Sequence, residues 1–270
     1  MQPTVQINRV DPGVVVEQSG EGIVQIRLNR PERLNALGMD MVEALQAAIA
    51  GAIADRARVL LVRGTGRAFC AGADLKARRT MDEATRVRHN RVINSAVDAL
   101  AAAPMPTICM INGLAMGGGC EIALACDLRY AAEDAQIGLT EARIGAIPGA
   151  GGTQRMPRVI GASRALELML TGEPISGKRA EEIGLVNGAV AADKLDSHAM
   201  RIATVLASRS PTGAQTIKRL VHRGLEVTLA DGLAQEGLAL REVLASSDYA
   251  EGLAAFAEKR QPRFAGGTAT

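Results

Sequence analysis

Short apolar runs alternate along the chain with stretches in which apolar positions recur every three or four residues. Val14 to Val16 and Ile23 to Leu28 read as two strands bridged by glycine-rich turn residues, the second alternating with period two. Met41, Leu45, Ile49 and Ile53 recur at spacing four and mark one stripe of a helix. Val59-Leu60-Leu61-Val62 is wholly apolar, as expected of a strand buried on both faces. A longer helical pattern carrying Val87, Val92, Val97 and Leu100 stops at Pro104 and Pro106, and Thr107 to Ile111 gives the next buried strand. Such alternation predicts an α/β fold with parallel pairing and crossover helices.

One element recurs. The strand at 59–62 runs into a loop ending Ala71-Gly72-Ala73-Asp74, and the strand at 107–111 runs into Gly117-Gly118-Gly119-Cys120-Glu121. Each time an apolar strand gives way to tiny residues that close on an acid. Repeated strand–loop–helix units predict a stacked, spiral-like array whose successive loops open at one edge. From about residue 191 strand signals stop, and helical patterns follow at 194–208, 212–226, 229–245 and 248–259. Leu229, Leu233, Leu240 and Leu244 fall near one helical face. The expected division is a core over residues 1–190 and a helical assembly region over 191–270, packed together because no linker composition separates them.

Composition narrows the function classes. Apolar residues make up 47% and charged residues 22%, which excludes disorder and disulfide-scaffold readings. The net charge of +2, with three Phe, two Tyr and no Trp, offers neither a basic groove nor stacking platforms, so no nucleic-acid partner is expected. Four cysteines (Cys70, Cys109, Cys120, Cys126) show no metal-binding or redox spacing and read as small buried filler. With no secretory leader and no membrane-length apolar run, the expected location is cytoplasmic, without a membrane partner.

The chemistry concentrates in the glycine-rich loops. Gly117-Gly118-Gly119 lets backbone N–H groups approach a ligand at the start of a helix, whose dipole adds positive potential. The triplet lacks the GxGxxG order of a dinucleotide fingerprint, and glycine triplets also serve plain helix–strand packing. A second loop at Ala71-Gly72-Ala73-Asp74 offers further N–H donors, and two such loops can grip a thioester or ester carbonyl. Glu121 and Glu141 are candidates to share acid and base work, although each taken singly reads as a solvated residue.

These residues carry a resemblance that spans nearly the whole chain. Leu28-Asn29-Arg30-Pro31 through Leu34-Asn35-Ala36-Leu37, Phe69 to Leu75, Asn112-Gly113 through Glu121, Cys126-Asp127, Ile147 to Arg155, Leu170-Thr171-Gly172 and Glu258-Lys259-Arg260 resemble the enoyl-CoA hydratase/isomerase (crotonase) superfamily. A narrower resemblance, on residues 73–76, 138–141 and 258–264, is to the methylglutaconyl-CoA hydratase branch. The resemblance implies a spiral of ββα units, a helical C-terminal region building a homotrimer or a dimer of trimers, and an acyl-CoA thioester substrate. It implies an oxyanion hole from the N–H groups of Ala73 and Gly118, with Glu121 activating water and Glu141 delivering a proton to Cα. Residues Ala71, Gly72, Ala73, Asp74, Leu75 and Lys76 would line the CoA channel, with Lys76 near the phosphates and Arg33 at the nucleotide end. Phe256 and Lys259 would close a neighbouring subunit's CoA site. No metal and no separate cofactor are implied. Thr140 departs from the family's pattern, where Pro commonly precedes the second glutamate.

Other residues read as bystanders. His89, His198 and His222 are expected at the surface, Arg78-Arg79 as a solvated charge pair at a helix start, and Asp74 as a helix cap. The expected activity is reversible hydration of a 2-enoyl-CoA. It competes with methylglutaconyl-CoA-type hydration, with enoyl-CoA isomerisation, and with a non-catalytic or RNA-binding protein of the same fold.

Overall fold

A computed structural model of the chain describes residues 6–11 and 13–266. In chain order the strands are β1 Gln6–Asp11, β2 Val14–Gly20, β3 Ile23–Leu28, β4 Val59–Gly64, β5 Ala68–Cys70 and β6 Thr107–Ile111. They continue as β7 Leu114–Met116, β8 Leu128–Ala132, β9 Gln136–Gly138, β10 Ile175–Ser176 and β11 Gly188–Val190. The first helices are α1 Met39–Ala54, α2 Leu75–Arg78, α3 Glu83–Ala101, α4 Gly118–Ala125, α5 Gly152–Ile160, α6 Ala162–Thr171 and α7 Gly177–Glu182. The remainder are α8 Leu195–Ala207, α9 Pro211–Gly224, α10 Leu229–Leu244 and α11 Ser247–Glu258.

Two sheets organise these elements. The larger has the order β1-β2-β3-β4-β6-β8-β11, antiparallel through β3 and parallel thereafter. The smaller has the order β10-β9-β7-β5, with β5, β7 and β9 parallel. Each turn of the chain lays one strand in the large sheet and the next in the small one before returning through helix: β4 then β5, β6 then β7, β8 then β9. This is the spiral of ββα units.

The wholly apolar strands are explained by cover on both faces. Leu60, Val62, Cys109 and Ile111 pack toward α1 and α3, while Val59, Leu61, Ile108 and Met110 pack against Leu195, Ala199, Ala203 and Ala207 of α8. The buried face of α3 runs through His89, Ile93, Ala96, Val97 and Leu100, a helical spacing that leaves Val87 outside. His89 is therefore a core residue, with 0% exposure, and not the surface residue its polar neighbourhood suggested.

The spiral also places the loops. Neighbouring strands lie about 4.8 Å apart, and β5, β7 and β9 run parallel, so their C-terminal ends deliver residues 71–74, 117–121 and 139–141 along one edge. Gly119 makes this close, since a Cβ there would lie 2.2 Å from the carbonyl oxygen of Cys70.

After β11 only helices follow among the described residues. Asp127 ties α9 back to the sheet: it accepts from Thr107 N–H at 2.8 Å, pairs with Lys218 at 2.8 Å and bonds His222 at 3.0 Å. Leu229, Leu233, Leu240 and Leu244 of α10 remain exposed in the single chain. No helix among the described residues is long and apolar enough to cross a membrane.

Candidate active site

Two loops present backbone donors to the same point. Asn35, fully buried, donates its side-chain amide to the carbonyls of Ala68 (2.9 Å) and Phe69 (3.1 Å), which pins residues 30–37 against β5. Leu37 then brackets Ala73: its N–H donates to Gly72 O at 2.8 Å, and its carbonyl accepts from Asp74 N–H at 3.2 Å. In such a parallel bridge the middle residue's own N–H points to the other side of the strand, so the Ala73 N–H faces away from Leu37. Gly118 is the first residue of α4, where backbone N–H groups lack intrahelical acceptors. A Cβ built on Gly118 would sit 3.7 Å from Ala73 N, so the two donors are neighbours.

The carboxyls flank them. Glu121 projects from α4 into the interior, 3% exposed, and its Oε1 accepts from Ala150 N–H (2.6 Å) and Gly152 N–H (2.8 Å). Burial pushes this carboxyl above its ordinary range, against the pull of those two N–H groups and of the Arg155 and Arg78 charges. Arg155 also steadies the partner loop, donating to Ala150 O at 2.9 Å while pairing with Asp98 at 2.8 Å. Glu141 opens a short 3-10 turn after β9. Its Oε2 is buried with no hydrogen-bond partner among the described residues. Burial, and secondarily the charge of Glu121, raise its pKa, while Arg78 lowers it. Two carboxyls whose pKa values burial raises, beside two N–H donors, can exchange a proton with a bound carbonyl compound.

Arg78 and His89 are what sequence reasoning missed. Arg78 ends α2 and is half-buried, not solvated at a helix start. Its Nε donates to His89 Nδ1 at 3.2 Å and its Nη2 approaches Asn90 Oδ1 at 3.4 Å. His89 Nε2 lies 2.9 Å from Leu37 O, a carbonyl that can only accept, so the proton sits on Nε2 and Nδ1 is free to receive Arg78. Burial, then the Arg78 charge, hold the His89 pKa down and the ring neutral. The sequence signal was the helical register of residues 89, 93, 96 and 100, which puts His89 on the apolar face of α3.

The remaining candidates divide. Asp74 caps α2, accepting from Ala77 N–H at 3.0 Å, and Arg33 lies 3.5 Å from it at the mouth of the loop. Leu75 and Lys76 are exposed beside it. Phe256 is 86% exposed on α11, which packs on α9 and α10, and Lys259 follows at the end of that helix. The four cysteines are free and buried, with the Cys70 thiol pushed up to about 12 by burial. Among the described residues no three His, Cys, Asp or Glu side chains are grouped to hold a metal. The His198 ring lies tilted against Tyr130 with centroids 4.9 Å apart, and His222 stays exposed on Asp127.

A family model described as enoyl-CoA hydratase/isomerase matches residues 18–267. The chain is 45% identical over 252 residues to the mitochondrial enoyl-CoA hydratase domain-containing protein 2 of Bos taurus, covering 91% of this chain and 85% of that one. It is 38% identical over 257 residues to the mitochondrial methylglutaconyl-CoA hydratase of Mus musculus, covering 93% and 82%. The crystal structure of an enoyl-CoA hydratase from Bacillus anthracis superposes with a TM-score of 0.93 at 41% identity, covering 95% of this chain and all of the other.

Proposed function

Because the chain belongs to the enoyl-CoA hydratase/isomerase family, we propose that it adds water reversibly across the double bond of a 2-enoyl-CoA to give the 3-hydroxyacyl-CoA. The observation that carries this reading is the meeting of two burial-raised carboxyls with the N–H groups of Ala73 and Gly118. Conjugate addition builds negative charge on the thioester oxygen, and the two N–H groups hold that oxygen as the charge develops. Glu121, fixed through Oε1, uses its other oxygen to orient water and take its proton as the hydroxyl oxygen bonds to C3. Glu141 delivers a proton to C2, and reversal of both transfers dehydrates the product. The chemistry needs no metal and no redox cofactor.

The CoA portion is assigned to residues Ala71 to Lys76, with Lys76 and Arg33 toward the phosphates and nucleotide. Phe256 and Lys259 serve a neighbouring subunit in a homotrimer or a dimer of trimers, which accounts for an 86% exposed phenylalanine.

The test is a panel of enoyl-CoA thioesters followed by loss of enoyl absorbance, with Glu121→Gln and Glu141→Gln beside the unaltered protein. Each substitution should lower kcat by about 10²–10⁴-fold, and the double variant should lose far less than the product of both. Glu141→Gln should also suppress deuterium uptake at C2 of the product. Absence of hydration on every thioester, or normal uptake in Glu141→Gln, would overturn the reading.

A further inference from the structure

One peptide group in the loop at 149–152 is held at both ends. The N–H of Ala150 donates to Glu121 Oε1 at 2.6 Å. The carbonyl of that same peptide bond, Gly149 O, accepts two side-chain amides from α3: Asn94 Nδ2 at 2.6 Å and Asn90 Nδ2 at 3.1 Å. Asn90 and Asn94 stand one helical turn apart, so both reach the same point of the loop. Asn94 Nδ2 also donates to Asn90 O at 3.2 Å, and Asn90 Oδ1 is met by Arg78 Nη2 at 3.4 Å. Gly149 permits the close approach, since a Cβ there would lie 2.9 Å from Asn90 Oδ1.

A peptide group is a rigid plane, so fixing its carbonyl fixes the direction of its N–H. Two donors on the carbonyl also polarise the unit and strengthen the bond that its N–H makes. The α3 amides therefore act on the Glu121 carboxyl through the backbone. From the other side, Arg155 of α5 holds the next carbonyl, Ala150 O, at 2.9 Å, and Gly152 N–H gives Oε1 its second bond at 2.8 Å. The loop is clamped between α3 and α5, and the clamp sets where the second oxygen of Glu121 points.

We propose that Asn90 and Asn94 are positioning residues for Glu121, acting through the peptide group between Gly149 and Ala150. This rests on the hydratase reading, in which the second oxygen of Glu121 takes the proton of water. The competing role is local: two amides that satisfy one carbonyl and fasten α3 to the loop, without bearing on the carboxyl. Asn94 separates the two roles best. It is neutral, and its replacement leaves in place the charges that face Glu121, those of Arg155, Arg78 and Glu141. It also leaves the contact of Arg78 with Asn90.

Full-length protein decides between these, assayed on the enoyl-CoA thioester it hydrates fastest. Asn94→Leu should lower kcat by about 10- to 10²-fold, the scale of a carboxyl displaced by a fraction of 1 Å to 1 Å. KM should stay within about twofold, since the group moved acts in the transition state. The acid limb of the kcat profile should move to higher pH, because a weaker Ala150 bond leaves Glu121 more readily protonated. Asn94→Gln, which keeps an amide, should recover part of kcat. In a Glu121→Gln background the Asn94→Leu change should lower kcat little further, because its effect passes through that carboxyl. An equal loss in both backgrounds, or a lowered Tm with kcat unchanged, would overturn the proposal in favour of the local role. If no thioester is hydrated, the hydratase reading fails by itself. The carboxyl stretch of Glu121, isolated as the infrared difference from Glu121→Gln, then tests the clamp without turnover. Its titration should move up by about 0.5–1 pH unit in Asn94→Leu, and a titration that stays in place counts against the clamp.

Discussion

Gly117 and Glu141 share one small volume: a Cβ placed on Gly117 would lie 2.7 Å from Oε1 of Glu141. The backbone at Gly117 also has φ of 50° and ψ of −120°, a conformation that residues with a Cβ rarely adopt. The first glycine of the triplet therefore makes room for a carboxylate. The third makes room for the carbonyl of Cys70, and the middle one presents its N–H beside Ala73.

Gly117→Ala should therefore displace the Glu141 carboxyl as well as strain the turn. The strain should cost about 1–3 kcal/mol of stability, and a shift of the carboxyl by about 1 Å should cost about 10²-fold in kcat. Thermal unfolding and steady-state hydration read the two effects separately. Full activity in a destabilised Gly117→Ala protein would mean that Glu141 has no positional role.

The raised carboxyls predict a pH dependence of stability. Both glutamates bind protons more readily in the fold than at the ordinary value of 4.5, so above that pH the folded state holds more protons than the unfolded chain. Their contribution to stability consequently falls as pH rises from 4.5 through the raised pKa values. Urea unfolding of the unaltered protein and the Glu121→Gln/Glu141→Gln variant across this range should show a difference that moves steadily in the variant's favour. A difference independent of pH would contradict the burial argument.

His89 predicts the opposite slope. Its pKa is held below the ordinary 6.5, so the unfolded chain binds the extra proton and the stability His89 contributes is lost as pH falls below 6.5. His89→Leu leaves the Leu37 carbonyl and the Arg78 Nε unpaired, at a cost of about 1–3 kcal/mol each at neutral pH. The gap between the two proteins should narrow toward acid, as measured by unfolding at pH 7 and below. A gap that widens toward acid would mean the ring is charged in the fold.

The exposed leucines of α10 bear on assembly. Leu233 and Leu240 are 56% and 54% exposed, so replacing them with Glu disturbs little within one chain. If the proposed assembly forms through this face, Leu233→Glu/Leu240→Glu should lower the sedimentation coefficient and weaken CoA binding together, because the proposed reach of Phe256 and Lys259 to a neighbour would be lost. A monomeric unaltered protein would contradict the assembly.

Much of this molecule is written locally in its sequence. Period-two and wholly apolar runs mark the strands, because a strand's neighbours on both faces show directly in its residue types. The helical periods of the C-terminal region fall on α8 to α11 for the same reason. The glycine triplet and the donor loop stand out as tiny residues closing on an acid, but only the family resemblance gave the two glutamates their roles, since each taken singly reads as a solvated residue. Pairing across distance was not legible. Glu121 is held by N–H groups 29 and 31 residues away, and Leu37 meets His89 across 52 residues. Arg78 looked like one half of a surface charge pair and His89 like a surface residue, because the polar residues around them in sequence point elsewhere in space. Only the spiral, by stacking β5, β7 and β9 in parallel, set those side chains against the donor loops. Burial created there, rather than residue type, raises the two carboxyls and keeps the histidine neutral.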